Sequence, residues 1–134
     1  MKVFLDTNVL VSAFAARGLC ADLFEVVLLE HELVTGVVVA AELRRSLRAK
    51  LKLPAPHCDD ILAFLRRAAS IFVRASSPVS ARVDAGDAAV LGEARHGGAE
   101  IFVTGDVAVQ RLAAIDVMKI LSPRNFWARL HSGT

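Results

Sequence analysis

The chain has 134 residues, a length that fits one domain, and we expect a single domain over residues 1–134. Its hydrophobic fraction is 54% and its mean hydropathy is +0.48, both high for a protein outside the membrane. The longest apolar runs, such as residues 37–41, are much shorter than the ~20 residues of a membrane span, and the acid at position 6 argues against a signal peptide. We therefore expect a cytoplasmic protein with no membrane contact, whose excess of apolar residues predicts a surface for a partner.

The net charge of +2, from 16 basic and 14 acidic residues, favours no class of partner. The two cysteines lack metal-ligand spacing and are expected to be reduced core thiols, and the four histidines are scattered. With no tyrosine and one tryptophan, the chain lacks the base-stacking residues of RRM-like and OB-like domains.

Hydrophobic periodicity predicts strands and helices in alternation. In the first half of the chain we expect, in order, a strand at 2–5, helices at 7–16 and 21–31, a strand at 32–35, a helix at 38–50, a loop with two prolines at 52–56 and a helix from Asp59 to 69. In the second half we expect a strand at 71–74, a loop at 76–82, a helix at 87–96, a strand at 101–104, a short helix at 106–113, a strand at 117–121 and a last helix from Ser122. This alternation predicts an α/β fold with a mostly parallel sheet covered by helices on both faces.

Four acids are placed where they can meet. Asp6 directly follows the first strand, and Asp106 follows the strand at 101–104 after a short turn. Ligands of an open parallel sheet bind outside the carboxyl ends of its strands, so both acids belong to one edge. Glu42 lies early in the helix after the second strand, and Asp87 starts the helix after the 76–82 loop, which places both near the same edge.

Each acid also has a plain alternative. Asp6, Asp87 and Asp106 could cap helices, and Glu42 could lie on a solvated helix face. However, carboxylates that converge without basic partners repel one another and imply a bound cation. Oxygen ligands select Mg²⁺ or Mn²⁺, and a carboxylate-bound metal of this kind is suited to phosphodiester hydrolysis.

These residues resemble a known family. Asp6-Thr7-Asn8, Ala41-Glu42-Leu43, Asp87 at a helix start and Val103-Thr104-Gly105-Asp106 resemble the motifs of PIN-domain ribonucleases, in the family's order. The stretches 32–52 and 120–126 are similar to the small toxin-type, VapC-like members. The resemblance covers residues 2–126, nearly the whole chain.

The resemblance implies a three-layer α/β/α sandwich and a Mg²⁺- or Mn²⁺-dependent endoribonuclease that hydrolyses RNA. It implies that Asp6, Glu42, Asp87 and Asp106 bind metal and act in catalysis, while Asn8 and Thr104 support the site by hydrogen bonds. It also implies a homodimer that pairs with a cognate antitoxin protein, as in VapBC-type modules.

The chain departs from the family pattern at two places. Many relatives carry a further acid where Ala108 stands, and a denser acidic run where this chain has Asp84-Ala85-Gly86-Asp87. Both differences reduce the negative charge available to a second metal. We therefore expect one firmly bound ion and leave a second ion open.

A basic segment follows Glu42, with no acid between residues 43 and 52. Its cations predict either a solvated helix end, where they suit the helix dipole, or a surface that contacts RNA phosphates. The candidate RNA contacts are Arg44, Arg45, Arg48 and Lys50.

Other functions fit the sequence less well. A haloacid-dehalogenase-type phosphatase needs a second Asp where this chain has Asn8, and a further acid where Gln110 stands. A receiver-type signalling domain needs a phosphoacceptor Asp at the end of a middle strand, where this chain has Gly36 and Arg74. A PIN-fold module that binds RNA or a partner without cleavage is the main alternative.

Overall fold

The computed structural model describes residues 1–132; Gly133 and Thr134, the end of the expected domain, lie outside the described residues. The strands are β1 (Lys2–Leu5), β2 (Glu32–Gly36), β3 (Ile71–Val73), β4 (Ile101–Val103), β5 (Ala114–Ile115) and β6 (Met118–Leu121). The helices are α1 (Thr7–Ala15), α2 (Leu19–Glu30), α3 (Val37–Ala49), α4 (Ala55–Ala68), α5 (Ala85–His96), α6 (Val107–Gln110) and α7 (Pro123–Leu130).

The strands form a single sheet in the order β3-β2-β1-β4-β6-β5. All neighbouring pairs are parallel except β5 and β6, which are antiparallel. The chain runs outward from β1 to β3 and then returns past β1 to β4. Because crossovers between parallel strands are right-handed as a rule, this reversal of direction places helices on both faces of the sheet. The predicted α/β fold, with a mostly parallel sheet between helical layers, is confirmed.

The central strands β1 and β4 carry the core. Phe4 and Phe102 stack with their ring centroids 5.4 Å apart and an interplanar angle of 7°. Both rings, together with Leu5 and Val103, are at most 1% exposed. Leu5 and Val103 are register partners at the carboxyl ends of their strands. The core therefore fixes the two backbone positions from which the chain enters the predicted site.

The start of α4 differs from the prediction. The helix expected to begin at Asp59 begins at Ala55, with Pro54 as N-cap and Pro56 in the first turn. The first N–H groups of a helix have no partner within it, so proline loses no hydrogen bond there. The prolines that predicted a loop over residues 52–56 therefore start the helix.

The short helix expected at 106–113 spans only Val107–Gln110. Two other elements differ for a common reason. The short strand β5 was not predicted, because two residues carry no periodicity; Asp116, in the turn that joins it to β6, has a φ of 51°. The helix expected to start at Asp87 begins at Ala85, with Asp84 as its N-cap. In both places local hydrogen bonding, and not hydrophobic pattern, determines the element.

Apolar side chains are also found on the surface. Leu29, Val117 and Phe64 are 75%, 90% and 40% exposed. Among the described residues, no helix combines the length and the apolar character needed to cross a membrane. The high hydrophobic fraction is therefore divided between the buried sheet and individual exposed side chains.

We expect Phe102→Ala to lower the free energy of unfolding by about 3–5 kcal/mol, because it leaves a cavity beside Phe4 in a fully buried layer. Phe64→Ala removes the same atoms from a side chain that is 40% exposed and should cost clearly less. Urea denaturation of both variants measures the difference. Equal losses would contradict the assignment of the core to the β1–β4 pair.

Candidate active site

Asp6 lies at the carboxyl end of β1 and is 5% exposed. Its Oδ1 accepts a hydrogen bond from the Thr7 backbone N–H at 2.8 Å, which makes Asp6 the N-cap of α1. Its Oδ2 accepts the Thr104 hydroxyl at 2.7 Å and the Asn8 side-chain amide at 3.4 Å. Asp6 is therefore a cap, as the alternative predicted, but it also has side-chain partners that capping does not require.

Asn8 and Thr104 connect the ends of the two central strands. The Asn8 amide nitrogen lies 3.4 Å from the Thr104 hydroxyl, and the Asn8 amide oxygen accepts the Gly105 N–H at 2.9 Å. The Thr104 hydroxyl oxygen accepts the Asp106 N–H at 3.1 Å. The two residues predicted to support the site thus link Asp6 to Asp106.

Asp106 is the N-cap of α6. Its Oδ1 accepts the N–H groups of Ala108 at 2.8 Å and Val109 at 3.4 Å. No hydrogen bond within residues 1–132 reaches its Oδ2. The capping alternative is again realised, and one carboxylate oxygen remains open to a ligand.

Glu42 and Asp87 reach the same edge from two helices. The Glu42 Oε1 accepts the hydroxyl of Thr7, the residue after Asp6, at 2.8 Å. A Cβ added to Gly86 would lie 3.7 Å from Glu42 Oε2 and 3.4 Å from an oxygen of Asp84, so Glu42 faces the start of α5. Asp87 lies in the first turn of that helix.

Asp6 is held in an acidic environment. Burial raises its pKa, and the charges of Glu42 and Asp106 raise it further. Hydrogen bonds from Thr104 and Thr7 act in the opposite direction without cancelling the rise. The network around Asp6 therefore supplies neutral donors, and the charges that shift its pKa are negative.

The same pattern is stronger at Asp87, whose pKa is raised to about 6. Burial is the largest cause. The charges that add to it all belong to acids, namely Asp84, Asp106, Asp6 and Glu42, in falling order. The four predicted site acids therefore repel one another across one shared space, and no cation contributes to the balance at Asp87.

The donors at this edge fit a hard divalent cation in kind, because they are carboxylate oxygens that face excess negative charge. A Cβ at Gly86 would be in ordinary van der Waals contact with Glu42 Oε2, at 3.7 Å, so the Glu42 carboxylate lies against the first turn of α5. As the side chains are placed, however, no three His, Cys, Asp or Glu residues within 1–132 are arranged so that they could hold one metal ion.

Two of the four candidate RNA contacts have partners within the protein. Arg44 forms an ion pair with Asp59 on α4, and Arg48 donates a hydrogen bond to the Leu53 carbonyl at 3.2 Å. Arg44 therefore connects α3 to α4, and Arg48 connects α3 to the segment that leads into α4.

Arg45 and Lys50 are exposed and have no partner among residues 1–132. Arg45 follows Glu42 by three residues, so both side chains project from neighbouring positions on one face of α3. Lys50 lies at the C-cap of the same helix. Of the basic segment, Arg45 is the residue that helical spacing places beside the acids.

One buried acid was not among the predicted site residues. Glu93 of α5 is fully buried and accepts hydrogen bonds from the backbone N–H groups of Val38 and Val39. Burial raises its pKa, although these two hydrogen bonds lower it in part. The sequence shows only that Glu93 interrupts an uncharged run, residues 88–94, which marks it as an acid on an apolar part of the helix but does not indicate its partner.

Comparison with known proteins agrees with this fold. The family model for the PIN domain matches residues 2–108, so the chain belongs to the PIN domain family, as the motifs predicted. PIN domains are generally nucleases.

Among solved structures, the chain is similar to one in the crystal structure of VapBC2 from Rickettsia felis bound to a DNA fragment from their promoter. The two share 15% sequence identity with a TM-score of 0.63, over 91% of this chain and 98% of that chain. At this identity the likeness shows a common fold. No curated protein matches the sequence.

We expect Asp87→Asn to raise the melting temperature of the metal-free protein clearly more at about pH 7.5 than at about pH 4.5. The raised pKa means that the folded state binds more protons than the unfolded state between pH ~4 and ~6, so stability is lost as the pH rises through about 6. The amide removes the charge that causes this loss.

The measurement is thermal unfolding in EDTA, with Asp22→Asn as control, because Asp22 is an exposed acid in the first turn of α2. The control should give no gain at either pH. An equal gain for Asp87→Asn at both pH values would show that charge repulsion is not the cause.

Proposed function

We propose that the protein is a Mg²⁺- or Mn²⁺-dependent endoribonuclease and the toxin of a toxin–antitoxin pair. One observation carries the proposal: a PIN-family chain gathers Asp6, Glu42, Asp87 and Asp106 at the carboxyl edge of its sheet, and the charges that raise the pKa of Asp87 are all acidic. A cluster of this kind costs stability unless a cation neutralises it.

Asp6, Glu42, Asp87 and Asp106 would hold the cation. When bound, a divalent ion lowers the pKa of water and stabilises the charge on the attacking and leaving oxygens of a phosphodiester. Asp6 is the most rigid of the four, because it is buried and accepts hydrogen bonds on both oxygens. Asp87 and Asp106 are partly exposed and would supply the movement that brings the carboxylates onto one ion.

The number of ions follows from the acids that are present. The resemblance to PIN-domain ribonucleases implies a further acid where this chain has Ala108, whose side chain offers no ligand oxygen. We propose one firmly bound ion on this basis and leave a second open. Two observations favour the alternative, a PIN-fold module that binds without cleavage. One is the missing acid at position 108, and the other is that residues 1–132 contain no preformed metal cluster.

RNA phosphates would be contacted by the free cations of the basic segment. Arg45 and Lys50 are exposed, while Arg44 and Arg48 already have protein partners. Arg45 is the strongest candidate, since it projects beside Glu42. A phosphate held there would lie next to the proposed cation, and an arginine suits this role because it binds phosphate oxygens in pairs.

The solved structure similar to this chain is a VapBC2 complex bound to promoter DNA, which supports a cognate antitoxin as partner. The exposed apolar side chains Leu29, Phe64 and Val117 are candidates for surfaces covered by that antitoxin or by a second copy. We place this toxin in the cytoplasm, as a homodimer whose whole chain forms one PIN domain.

Asp6→Asn and Asp106→Asn should each lower Mg²⁺- or Mn²⁺-dependent cleavage of an RNA panel by at least about 100-fold. Removal of a ligand should exceed the 10–100-fold loss typical of residues that only orient ligands. EDTA should abolish cleavage by the wild type.

The control is Asp116→Asn, because Asp116 is an exposed acid in the turn before β6, away from the carboxyl edge. It should retain full activity. Cleavage in EDTA would refute the metal dependence of the proposed ribonuclease. Wild-type rates in both site variants would refute its placement at these carboxylates. Slowed growth on expression that persists in Asp6→Asn would refute a toxin role that depends on this site.

A further inference from the structure

Glu93 has no role in the proposed chemistry, yet its carboxylate is the most deeply buried acid of the described residues. It is 0% exposed, against 5% for Asp6, which is the other buried acid of residues 1–132. Burying a carboxylate is costly unless hydrogen bonds compensate for the lost water. The contacts of Glu93 therefore show which part of the structure its burial stabilises.

Both carboxylate oxygens are used by the start of α3. Oε2 accepts the Val38 N–H at 2.7 Å, and Oε1 accepts the Val39 N–H at 3.0 Å. The N-cap of α3 is Gly36, which has no side chain that could accept these bonds. A residue of α5 thus performs the capping that is usually performed by the N-cap residue itself. With both oxygens engaged and no exposure, Glu93 is not available as a metal ligand.

The end of β2 is shaped to receive this carboxylate. A Cβ added to Gly36 would lie 2.4 Å from Glu93 Cδ, 2.6 Å from its Oε2 and 2.7 Å from the Val73 carbonyl oxygen. The φ of Gly36 is −174°, which any residue adopts, so the requirement for glycine here is one of space. The Gly36 backbone and the Glu93 carboxylate are therefore in close contact, and this contact fixes α5 against the start of α3.

This point lies close to the site on both helices. Glu42 is four residues beyond Val38, about 6 Å along α3, and Asp87 is six residues before Glu93, about 9 Å along α5. Two hydrogen bonds to consecutive N–H groups fix both the axial position and the orientation of α3 relative to α5. A catalytic constellation has to be held within about 0.5 Å, so such a fixed point matters to its geometry.

We infer that Glu93 is a positioning residue, which holds Glu42 on α3 opposite Asp87 on α5 by capping α3 from the neighbouring helix. The inference rests on the proposed function, since it assigns to Glu93 the spacing of two proposed metal ligands. Glu93 itself touches neither the ion nor the RNA.

The test is Glu93→Gln, which keeps the size of the side chain but presents an amide N–H₂ to one of the two N–H groups. In the metal-free protein, NMR should show altered backbone amide shifts at Val38 and Val39 that extend to Glu42 and Asp87. The affinity for Mn²⁺, measured by EPR, should fall about tenfold or more, and kcat for RNA cleavage about tenfold, with KM nearly unchanged.

The matched control is Glu100→Gln. Glu100 also accepts a backbone hydrogen bond, from the Lys2 N–H at 2.8 Å, but at the opposite edge of the sheet. It should leave the Glu42 and Asp87 amides, the Mn²⁺ affinity and kcat unchanged. Gly36→Ala displaces Glu93 from the other side of the same contact; it should reproduce the losses, and it carries the test if Glu93→Gln does not fold.

The outcomes separate this inference from the proposed function. A lower melting temperature with wild-type amide shifts at Glu42 and Asp87, wild-type Mn²⁺ affinity and wild-type kcat would make Glu93 a structural cap only, and would overturn the inference. If the wild type neither binds Mn²⁺ nor cleaves RNA, while the amide shifts at Glu42 and Asp87 still change in Glu93→Gln, the proposed function is wrong and the positioning role stands.

Discussion

Asp6, Glu42, Asp87 and Asp106 repel one another at one edge of the sheet, and the charges that shift the pKa of Asp6 and Asp87 are negative. Each carboxylate separately prefers water or a cation, but the fold holds them together. The free energy that offsets their repulsion comes chiefly from burial of apolar side chains in the layer around Phe4 and Phe102. Most features of the site follow from this balance between a stable sheet and a repulsive edge.

The structure holds the acids with neutral donors. Thr104 donates to Asp6 and also binds the Asp106 N–H, and Asn8 links both strand ends. A lysine or arginine in these positions would neutralise the acids and compete with a metal ion, whereas hydroxyl and amide groups orient them and leave their charge available. Glu93 fits the same pattern, because it fixes a helix through backbone N–H groups and adds no cation.

Much of this arrangement was predictable, since it depends on periodicity and on the rule that parallel strands present their carboxyl ends at one edge. The order of strands and helices and the common location of Asp6 and Asp106 required nothing more. The start of α4 and the strand β5 were not predictable in this way, because backbone hydrogen bonds set them. The same reason hid Glu93: its role depends on a contact between α5 and α3, which no local pattern in the sequence records.

The proposed site at this edge is a divalent-cation site formed by these four carboxylates. It is tested most directly by anomalous diffraction from crystals soaked in MnCl₂. We expect a single strong peak among the carboxylates of Asp6, Glu42, Asp87 and Asp106. An empty map at this edge at millimolar Mn²⁺, or a peak held by other residues, would contradict it.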